Sequence, residues 1–361
     1  MPDGGWGGGV IMRSLTQNTP PHVSINWTTF DASQNKSTSD YANIKIIPFK
    51  PSYIRGQAKF KFIRELDSIR FAADLNSIIK ENNINLLWIV LGVTYNELFR
   101  LSILSLKLII PYHLTIHDDP IVELDKSKKK KGTALFQTIL SHAKTIDVVS
   151  IRMQNNYKQQ YNAESIVITR GIPPTFSTNH LRAKDSVQLI MGGYGNVSSP
   201  WPLHLIEAVK LMQKDQSSTL HLFDSKLTRW KNEYVKVYEN LPESDFDEIL
   251  KSIHIGYACD DLSEDCLSFA QLSLPTKIIT YIGAGIPFVY HGPKDSTVGD
   301  LLVQFDAGII VSTNNSVDLY NAFNKILINY SYYQQNCFHA LQKKFASSIV
   351  QSNFYNHLLK P

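Results

Sequence analysis

Ser273-Leu-Pro-Thr-Lys-Ile-Ile-Thr-Tyr-Ile-Gly-Ala-Gly-Ile-Pro287 is the stretch of sequence that decides the fold. Ser273 is a residue type that caps helices, and Pro275 suits the first turn of a helix. Gly283 and Gly285 can end that helix before Phe288 to Tyr290, an apolar run typical of a strand. The stretch therefore predicts a short helix followed by a strand, as in an α/β domain.

The first turn of this predicted helix has the chemistry of a phosphate site. Thr276 and Lys277 would lie where backbone N–H groups are unpaired and the helix macrodipole is positive. A hydroxyl, an ammonium group and free N–H groups would then converge on one point, which favours an anion. The alternative is an ordinary capped helix without a ligand.

Short apolar runs alternate with helix-like stretches in the first half of the chain, which is typical of a parallel sheet covered by helices. The predicted strands are His22 to Trp27, Asn43 to Ile47, Asn85 to Leu91, Tyr112 to Ile116, Thr145 to Ser150 and Ser165 to Ile168. The longest predicted helix is Phe62 to Glu81. Helical spacing predicts that its buried face carries Ile63, Leu66, Ile69, Ala73 and Ile78.

A second alternating series follows the segment from Gly171 to Lys184, which has two prolines and no apolar periodicity and is predicted to be a linker. The strands of this series are Val187 to Met191, Thr219 to Phe223, Tyr234 to Tyr238, Ile253 to Tyr257, Phe288 to Tyr290 and Gly308 to Val311. The length of 361 residues suits two domains. We assign residues 1–175 to the N-terminal domain and 176–345 to the C-terminal domain.

Composition excludes several classes of protein. With 43% hydrophobic and 19% charged residues, the chain has the composition of a globular protein, and a net charge of +4 is too small for a dedicated nucleic-acid binder. The three cysteines form no C-x-x-C pair, so neither a disulfide framework nor a zinc site is predicted, and a cytoplasmic location is expected. No apolar run is long enough for a membrane-spanning helix.

Two further motifs follow predicted strands. In Met191-Gly-Gly-Tyr-Gly-Asn196, the residues Gly192, Gly193, Tyr194 and Gly195 would let the backbone approach a diphosphate, although a tight turn explains them equally well. His117, Asp118 and Asp119 follow Tyr112 to Ile116, at the end of a strand where ligands bind in open α/β sheets. An imidazole can orient sugar hydroxyls or stabilise charge, and Asp118 could fix its tautomer. The alternatives are a polar loop in which an Asp caps the next helix, and a metal site, for which no further ligand has suitable spacing.

Two segments have an unusual composition, and each has two possible interpretations. The glycine-rich start, with Gly4, Gly5, Trp6 and Gly7, is either flexible sequence or a glycine loop beside an acceptor. Lys126 to Lys131 contains five lysines and is predicted to be a solvated loop, with attraction to an anionic membrane as the alternative.

The deciding stretch and the residues after it resemble the donor-binding motif of retaining glycosyltransferases of the GT-B fold, in particular family-four-like bacterial sugar transferases. The matching features are Pro-x-Lys at Pro275 to Lys277, Gly-x-Pro at Gly285 to Pro287, and the loop from His291 to Val298. The placement of Asp147-Val-Val-Ser150, of the Gly171-Ile-Pro linker and of the closing helices is also similar.

This resemblance implies an α/β fold of two Rossmann-like domains (GT-B) facing each other across a cleft, with a helix at 346–361 crossing back to the N-terminal domain. It implies a hexosyltransferase that moves a sugar from a nucleotide-sugar donor to a carbohydrate or lipid-linked acceptor, as in polysaccharide biosynthesis. Retention at the anomeric carbon and no obligatory metal or other cofactor are expected. The protein would be cytoplasmic, or peripheral at the inner face of the membrane through Lys126 to Lys131.

The resemblance also assigns roles to individual residues. The loop from Gly192 to Gly195 would line the donor diphosphate, and Lys226 or Lys277 would supply positive charge, because the basic residues that usually follow this loop are absent. Ser273, Pro275 and Thr276 would belong to the donor site. His117 would lie near the transferred sugar, and Gly4 to Gly7 would lie on the acceptor side.

One departure from the family concerns its paired glutamates, which would fall at Leu272 and Thr280. The second glutamate typically holds the donor ribose, and a threonine makes only a weaker, neutral contact. A nucleotide-sugar-binding protein without catalysis is therefore one alternative, and a nucleotide-sugar epimerase of the same architecture is another. A nicotinamide-dependent oxidoreductase is disfavoured, because neither domain opens with the full dinucleotide fingerprint.

Overall fold

The computed structural model describes residues 7–29, 44–48, 61–173, 186–192, 201–223, 225–239, 241 and 243–360. They belong to two compact units. The first unit comprises Met1–Thr169 and Val350–Pro361, and the second comprises Arg170–Ile349. Each unit contains its own parallel sheet with helices, so the prediction of two Rossmann-like α/β domains is confirmed.

The first unit contains a four-stranded parallel sheet in the order β3-β4-β5-β6 and a separate parallel pair, β1-β2. Its elements are α1 (Gly7–Thr16), β1 (Ile25–Thr29), β2 (Ile44–Pro48), α2 (Lys61–Glu81), β3 (Leu87–Val90), α3 (Tyr95–Lys107), β4 (Tyr112–Ile116), α4 (Lys126–His142), β5 (Thr145–Val148), α5 (Ile151–Tyr161) and β6 (Ile166–Val167).

The second unit contains a six-stranded parallel sheet in the order β12-β11-β10-β7-β8-β9. Its elements are β7 (Val187–Gly192), α6 (Trp201–Met212), β8 (Ser218–Phe223), a 3-10 helix (Ser225–Trp230), β9 (Val235–Val237), α7 (Glu243–Lys251), β10 (Ile255–Cys259), α8 (Glu264–Leu272), α9 (Thr276–Gly283), β11 (Phe288–His291), α10 (Thr297–Phe305), β12 (Gly308–Val311), α11 (Ser316–Ile328), α12 (Tyr330–Ala340) and a π-helix (Leu341–Phe345). The last helix, α13 (Ser347–Leu358), runs from the end of the second unit into the first.

All twelve predicted strands are present, and Tyr112–Ile116 and Gly308–Val311 have the predicted bounds. Strands of a parallel sheet covered on both faces are nearly continuous apolar runs, which is why they are recognisable in the sequence. Strand β10, for example, is buried along its whole length.

The predicted buried face of α2 is wrong except at Ile78, which is partly buried and packs against the core. Ile63, Leu66 and Ile69 are exposed, whereas Phe71, Ala72, Leu75 and Ile79 are buried and pack with Leu104. The helix has two apolar stripes. The stripe that contains Phe71 is buried because it packs against Leu104 and the partly buried apolar side chains around it.

Helix α13 is held in the first unit by bonds to α1 and β5. Gln351 Nε2 donates to the carbonyl of Ser14 at 2.7 Å, and Tyr355 Oη donates to that of Leu15 at 3.0 Å. His357 Nε2 lies 3.1 Å from the carbonyl oxygen of Ile146 on β5. Helix α13 therefore belongs to the first unit, although it follows the second unit in the sequence.

The pairing of β11 with β12 depends on Gly308, because a Cβ atom at this position would collide with the carbonyl oxygen of Phe288. We expect Gly308→Ala to lower the free energy of unfolding by about 3 kcal/mol, since a backbone atom cannot move aside as a side chain can. Urea denaturation measures the change. Val303→Ala is the control, because Val303 is 86% exposed and its change should lie within about 0.5 kcal/mol. Equal unfolding midpoints for the two variants would contradict the expectation.

Candidate functional site

The sheet of the second unit has a topological switch point between β7 and β10. From β7 the chain adds β8 and β9 on one side, and it then returns to add β10, β11 and β12 on the other side. Ligands of open α/β sheets bind at such a point, beyond the carboxyl ends of the strands. Gly192 ends β7 there, and Asp260 directly follows β10.

Helix α9 begins at this end of the sheet, with Thr276 and Lys277 as its first two residues. Their predicted position in the first turn is confirmed. The prediction that Ser273 caps this helix is wrong, because Ser273 ends α8 and its N–H donates to the carbonyl of Phe269 at 2.9 Å. Pro275 is the N-cap instead, one position before the first turn that we predicted for it. A residue that precedes proline is kept out of helical geometry, so α9 cannot begin before Pro275.

The other end of α9 is as predicted. The helix ends at Gly283, and Gly285 has a φ of +64°, in the left-handed region that glycine adopts without strain. A Cβ atom on Gly285 would lie 2.5 Å from Cζ of Phe338. The turn thus leads from α9 into the buried strand β11.

Beside the switch point, the carboxyl group of Asp260 lies within electrostatic reach of the ammonium group of Lys277. Burial raises the pKa of Asp260, while a hydrogen bond from Tyr290 and the charge of Lys277 oppose this rise. Tyr290 Oη donates to Asp260 Oδ2 at 2.7 Å. Sequence reasoning missed Asp260 because it ended β10 at Tyr257, two residues early. The signal was the acidic pair that directly follows the apolar run.

Thr280 is buried and engaged by the protein itself. Its hydroxyl donates to the carbonyl of Thr276 at 3.2 Å and accepts a hydrogen bond from Arg170 Nη1 at 2.5 Å. At position 280 the structure therefore has a neutral hydroxyl beside a guanidinium. Sequence reasoning missed Arg170, which is 110 residues away in the chain and carries no local signal.

The structure describes only some of the predicted site residues. Gly193, Tyr194 and Gly195 lie outside the described residues, as do Gly4, Gly5 and Trp6. Gly7 begins α1, and Lys226 lies in the 3-10 helix that follows β8. The roles assigned to these residues remain predictions.

In the first unit, His117 directly follows β4 and is half-buried. Its Nε2 atom is buried and has no hydrogen-bond partner among the described residues. Burial lowers the pKa of His117, and the carboxylates of Asp147 and Asp118 oppose this change. The structure thus places an imidazole with a free ring nitrogen at the carboxyl end of a strand.

The side chain of Asp119 is bonded to the backbone of its own loop. It is buried, and its Oδ1 atom accepts hydrogen bonds from the N–H groups of Ile121 at 2.8 Å and Val122 at 2.9 Å. It therefore stabilises a turn rather than capping the next helix, whose N-cap is Asp125. An Asp side chain bonds readily to backbone N–H groups two and three residues further on, which explains the difference.

The expectation of a loop at Lys126 to Lys131 is wrong, because these residues form the first turns of α4. Lysine has a high helix propensity, which outweighs the unfavourable placement of cations at the positive end of a helix. Lys128 is paired with Asp125 at 2.9 Å. Lys126, Lys130 and Lys131 are exposed, so this basic surface is real but helical.

Among the residues with described positions, no group of three or more His, Cys, Asp or Glu side chains could hold a metal ion. In the same part of the chain, no helix is both long and apolar enough to cross a membrane.

Comparison with known proteins gives a fold but no family. No protein-family model matches the chain, and no curated protein matches its sequence. Solved structures do match. Sucrose-phosphate synthase from Thermosynechococcus elongatus is 12% identical with a TM-score of 0.68, over 97% of this chain and 92% of the other.

Two further structures are equally informative. Anabaena HepE, in complex with UDP and glucose, is 14% identical with a TM-score of 0.69, over 100% of this chain and 97% of the other. The N-terminal domain of Candida albicans trehalose-6-phosphate phosphatase is 10% identical with a TM-score of 0.65, over 98% and 93%. At such low identity these similarities show the fold alone. The chain has the GT-B fold.

Proposed function

We propose that this protein is a glycosyltransferase that moves a sugar from a nucleotide-sugar donor to a carbohydrate or lipid-linked acceptor. The observation that carries the proposal is the start of α9, where Thr276 and Lys277 lie at the switch point of the second unit. The positive end of the helix dipole, a hydroxyl and an ammonium group there suit a diphosphate. The similarity to HepE, whose structure contains UDP and glucose, supports the same ligand class.

The donor is assigned to the second unit. Lys277 and the dipole of α9 would offset the charge that develops on the leaving diphosphate, and the loop from Gly192 to Gly195 would line it. Lys226 is a second candidate cation. In the first unit, His117 would act on the transferred sugar through its free Nε2 atom, with Asp118 as a nearby charge, and Gly4 to Gly7 are assigned to the acceptor side.

We further propose transfer of a hexose with retention at the anomeric carbon and without an obligatory metal. The basis is the resemblance of Pro275 to Lys277 and Gly285 to Pro287 to the retaining family, together with a helix start at which Lys277 and the helix dipole could stabilise a phosphate without a metal ion. No residue is proposed as a covalent nucleophile, because the resemblance requires none.

A second candidate is a nucleotide-sugar-binding protein without transfer. The observation that favours it is the hydrogen bond from Arg170 to Thr280, which replaces the ribose-binding carboxylate of the related family by a protein contact. Donor conversion without an acceptor would instead indicate an epimerase. Product analysis separates the three activities.

A thermal-shift screen of nucleotide sugars, followed by titration calorimetry, tests the donor assignment. A ligand at 100 times its Kd adds about 2.7 kcal/mol to the stability of the protein that binds it. We expect at least one nucleoside-diphosphate sugar to raise Tm, and the free sugar to leave Tm unchanged. If no nucleotide or nucleotide sugar raised Tm at millimolar concentration, the proposed function would be wrong.

We also propose that the exposed lysines at the start of α4 attract the protein to anionic membrane, at the inner face of the cytoplasmic membrane. Each basic residue near such a surface contributes about 1 kcal/mol. We expect the triple substitution of Lys126, Lys130 and Lys131 by glutamine to weaken binding to phosphatidylglycerol vesicles by about 100-fold. Co-sedimentation at low salt measures the binding.

A matched control removes three lysines from α6, α7 and α11. Lys210, Lys251 and Lys325 are exposed and lie in the second unit. Their substitution by glutamine changes the net charge equally and should leave vesicle binding several-fold stronger than in the α4 variant. Equal loss in both variants would show that net charge alone, and not the α4 surface, attracts the vesicles.

A further inference from the structure

One face of the sheet in the first unit carries a buried row of polar side chains. His113 and Thr115 lie on this face of β4, and Asp147 lies opposite Thr115 on β5. His113 Nε2 and Asp147 Oδ1 are hydrogen-bonded, and Thr115 Oγ1 donates to the same carboxylate oxygen at 2.6 Å. His113 Nδ1 lies 2.8 Å from Thr145 Oγ1. The Oδ1 atom of Asp147 is thus held by two partners.

Aromatic side chains cover this row and exclude water from it. Trp88 Nε1 donates to Thr115 Oγ1 at 2.8 Å. The ring of Phe354 on α13 lies 4.7 Å from that of Trp88 and 5.5 Å from that of His113. Burial of an ionisable pair carries a large desolvation penalty. The enclosed carboxylate is therefore not explained by a contribution to stability alone.

The chain reaches His117 at the end of this row of polar side chains. His117 is the first residue after β4 and lies two residues beyond Thr115, which is the partner of Asp147 in the register of β4 and β5. The Oδ2 atom of Asp147 and the Nε2 atom of His117 are both buried, and neither has a hydrogen-bond partner in the described part of the chain. A buried polar atom without a partner costs about 1–3 kcal/mol, and these two atoms belong to residues that interact electrostatically.

We propose that Asp147 is the positioning residue of His117. His113 and Thr115 fix the carboxylate through Oδ1, so that its remaining oxygen and its negative charge face the imidazole and hold it in one orientation. The role of His117 in transfer rests on the proposed function, whereas the coupling between Asp147 and His117 does not.

The direction of the electrostatic effect follows from the groups around His117. Burial lowers the pKa of His117 most, and Asp147 and Asp118 raise it. His357, whose own pKa is lowered by burial and by His113, lies at the other end of the row, where Lys360 also acts on it. Removal of the charge of Asp147 leaves burial less opposed, so the pKa of His117 falls and less imidazolium is present at neutral pH.

NMR titration of His117 in the free, full-length protein tests the coupling. We expect Asp147→Asn to lower the pKa of His117 by about 1, as for loss of a neighbouring opposite charge. Asp147→Glu should restore much of the difference because it returns the charge. Thr145→Val is the control, since it removes a partner of His113 but no charge and should leave the pKa of His117 unchanged.

A measurement on the unmodified protein covers the case in which Asp147→Asn does not fold. The carboxyl 13C signal of Asp147 should shift at the pH at which His117 titrates. Absence of that inflection, or an unchanged pKa of His117 in a folded Asp147→Asn variant, would overturn the inference.

Activity gives the readout for positioning. With the donor that raises Tm most, Asp147→Asn should lower kcat about 10-fold while KM for the donor changes less than twofold, as expected when an interaction is made only in the transition state. The NMR titration needs no donor. If the coupling were present but no donor bound, the proposed function would fail and the coupling would stand. If the protein transferred sugar but the pKa of His117 were unchanged in Asp147→Asn, the coupling would fail and the proposed function would stand.

Discussion

Lys277→Ala is expected to lower kcat/KM for sugar transfer by about 100-fold, the size of effect seen when one preorganised charge-stabilising donor is removed. Lys277 is the second residue of α9 and acts electrostatically on Asp260 and Cys259 at the end of β10. Its ammonium group therefore belongs to the switch point at which a diphosphate would bind. Steady-state kinetics with the best donor measure the loss, and calorimetry should show weaker binding of the nucleoside diphosphate as well.

The matched control is Lys251→Ala in the same unit. Lys251 is paired with Glu248 at 2.6 Å, and both side chains are largely exposed. Exposed ion pairs contribute about 0–1 kcal/mol to stability, so this variant should keep both its transfer rate and its Tm. If the two lysine variants had equal kinetics, the assignment of Lys277 to the donor site would be wrong.

The second large effect is expected at His117. His117→Ala should lower kcat by about 100-fold, because a positioned imidazole contributes roughly this much to acid-base or charge-stabilising catalysis. Donor affinity should change less than twofold, since the donor is assigned to the second unit and His117 belongs to the first. Single-turnover kinetics and calorimetry separate the two quantities.

His142→Ala serves as the control for this change. His142 is exposed on the last turn of α4 in the same unit, and its hydrogen bonds are to Ser141 and to the carbonyl of Thr138. It should leave kcat unchanged. If His117→Ala instead abolished donor binding and left the rate of bound donor intact, the imidazole would be a binding group and its assignment to catalysis would be wrong.

The strands were predictable because parallel strands buried on both faces appear in the sequence as continuous apolar runs. The buried faces of the helices were less predictable than the strands. Helix α2 has two apolar stripes, and only packing against Leu104 and its neighbours selects the stripe that contains Phe71. Two local backbone preferences also compete over where α9 begins. Ser273 has the chemistry of an N-cap, but Pro275 prevents the helix from starting at Leu274.

The candidate site was predictable where its signal is local. Thr276 and Lys277 are adjacent in sequence and share one helix start, so their placement followed from capping rules. Arg170, Asp260 and Asp147 were missed as site residues, because their partners are supplied by tertiary structure. Arg170 meets Thr280 across 110 residues, and Asp147 meets His113 through the register of two strands.

The central claim, that this chain transfers a sugar from a nucleotide donor, is tested most directly by product analysis. The protein is incubated with the nucleotide sugar that raises Tm most and with a panel of carbohydrate and lipid-linked acceptors, and products are identified by mass spectrometry and NMR. We predict release of the nucleoside diphosphate in step with a glycosylated acceptor, or with free sugar where no acceptor suits, and loss of both in Lys277→Ala. A donor that binds but stays intact with every acceptor, or that is converted to an isomer without one, would contradict the claim.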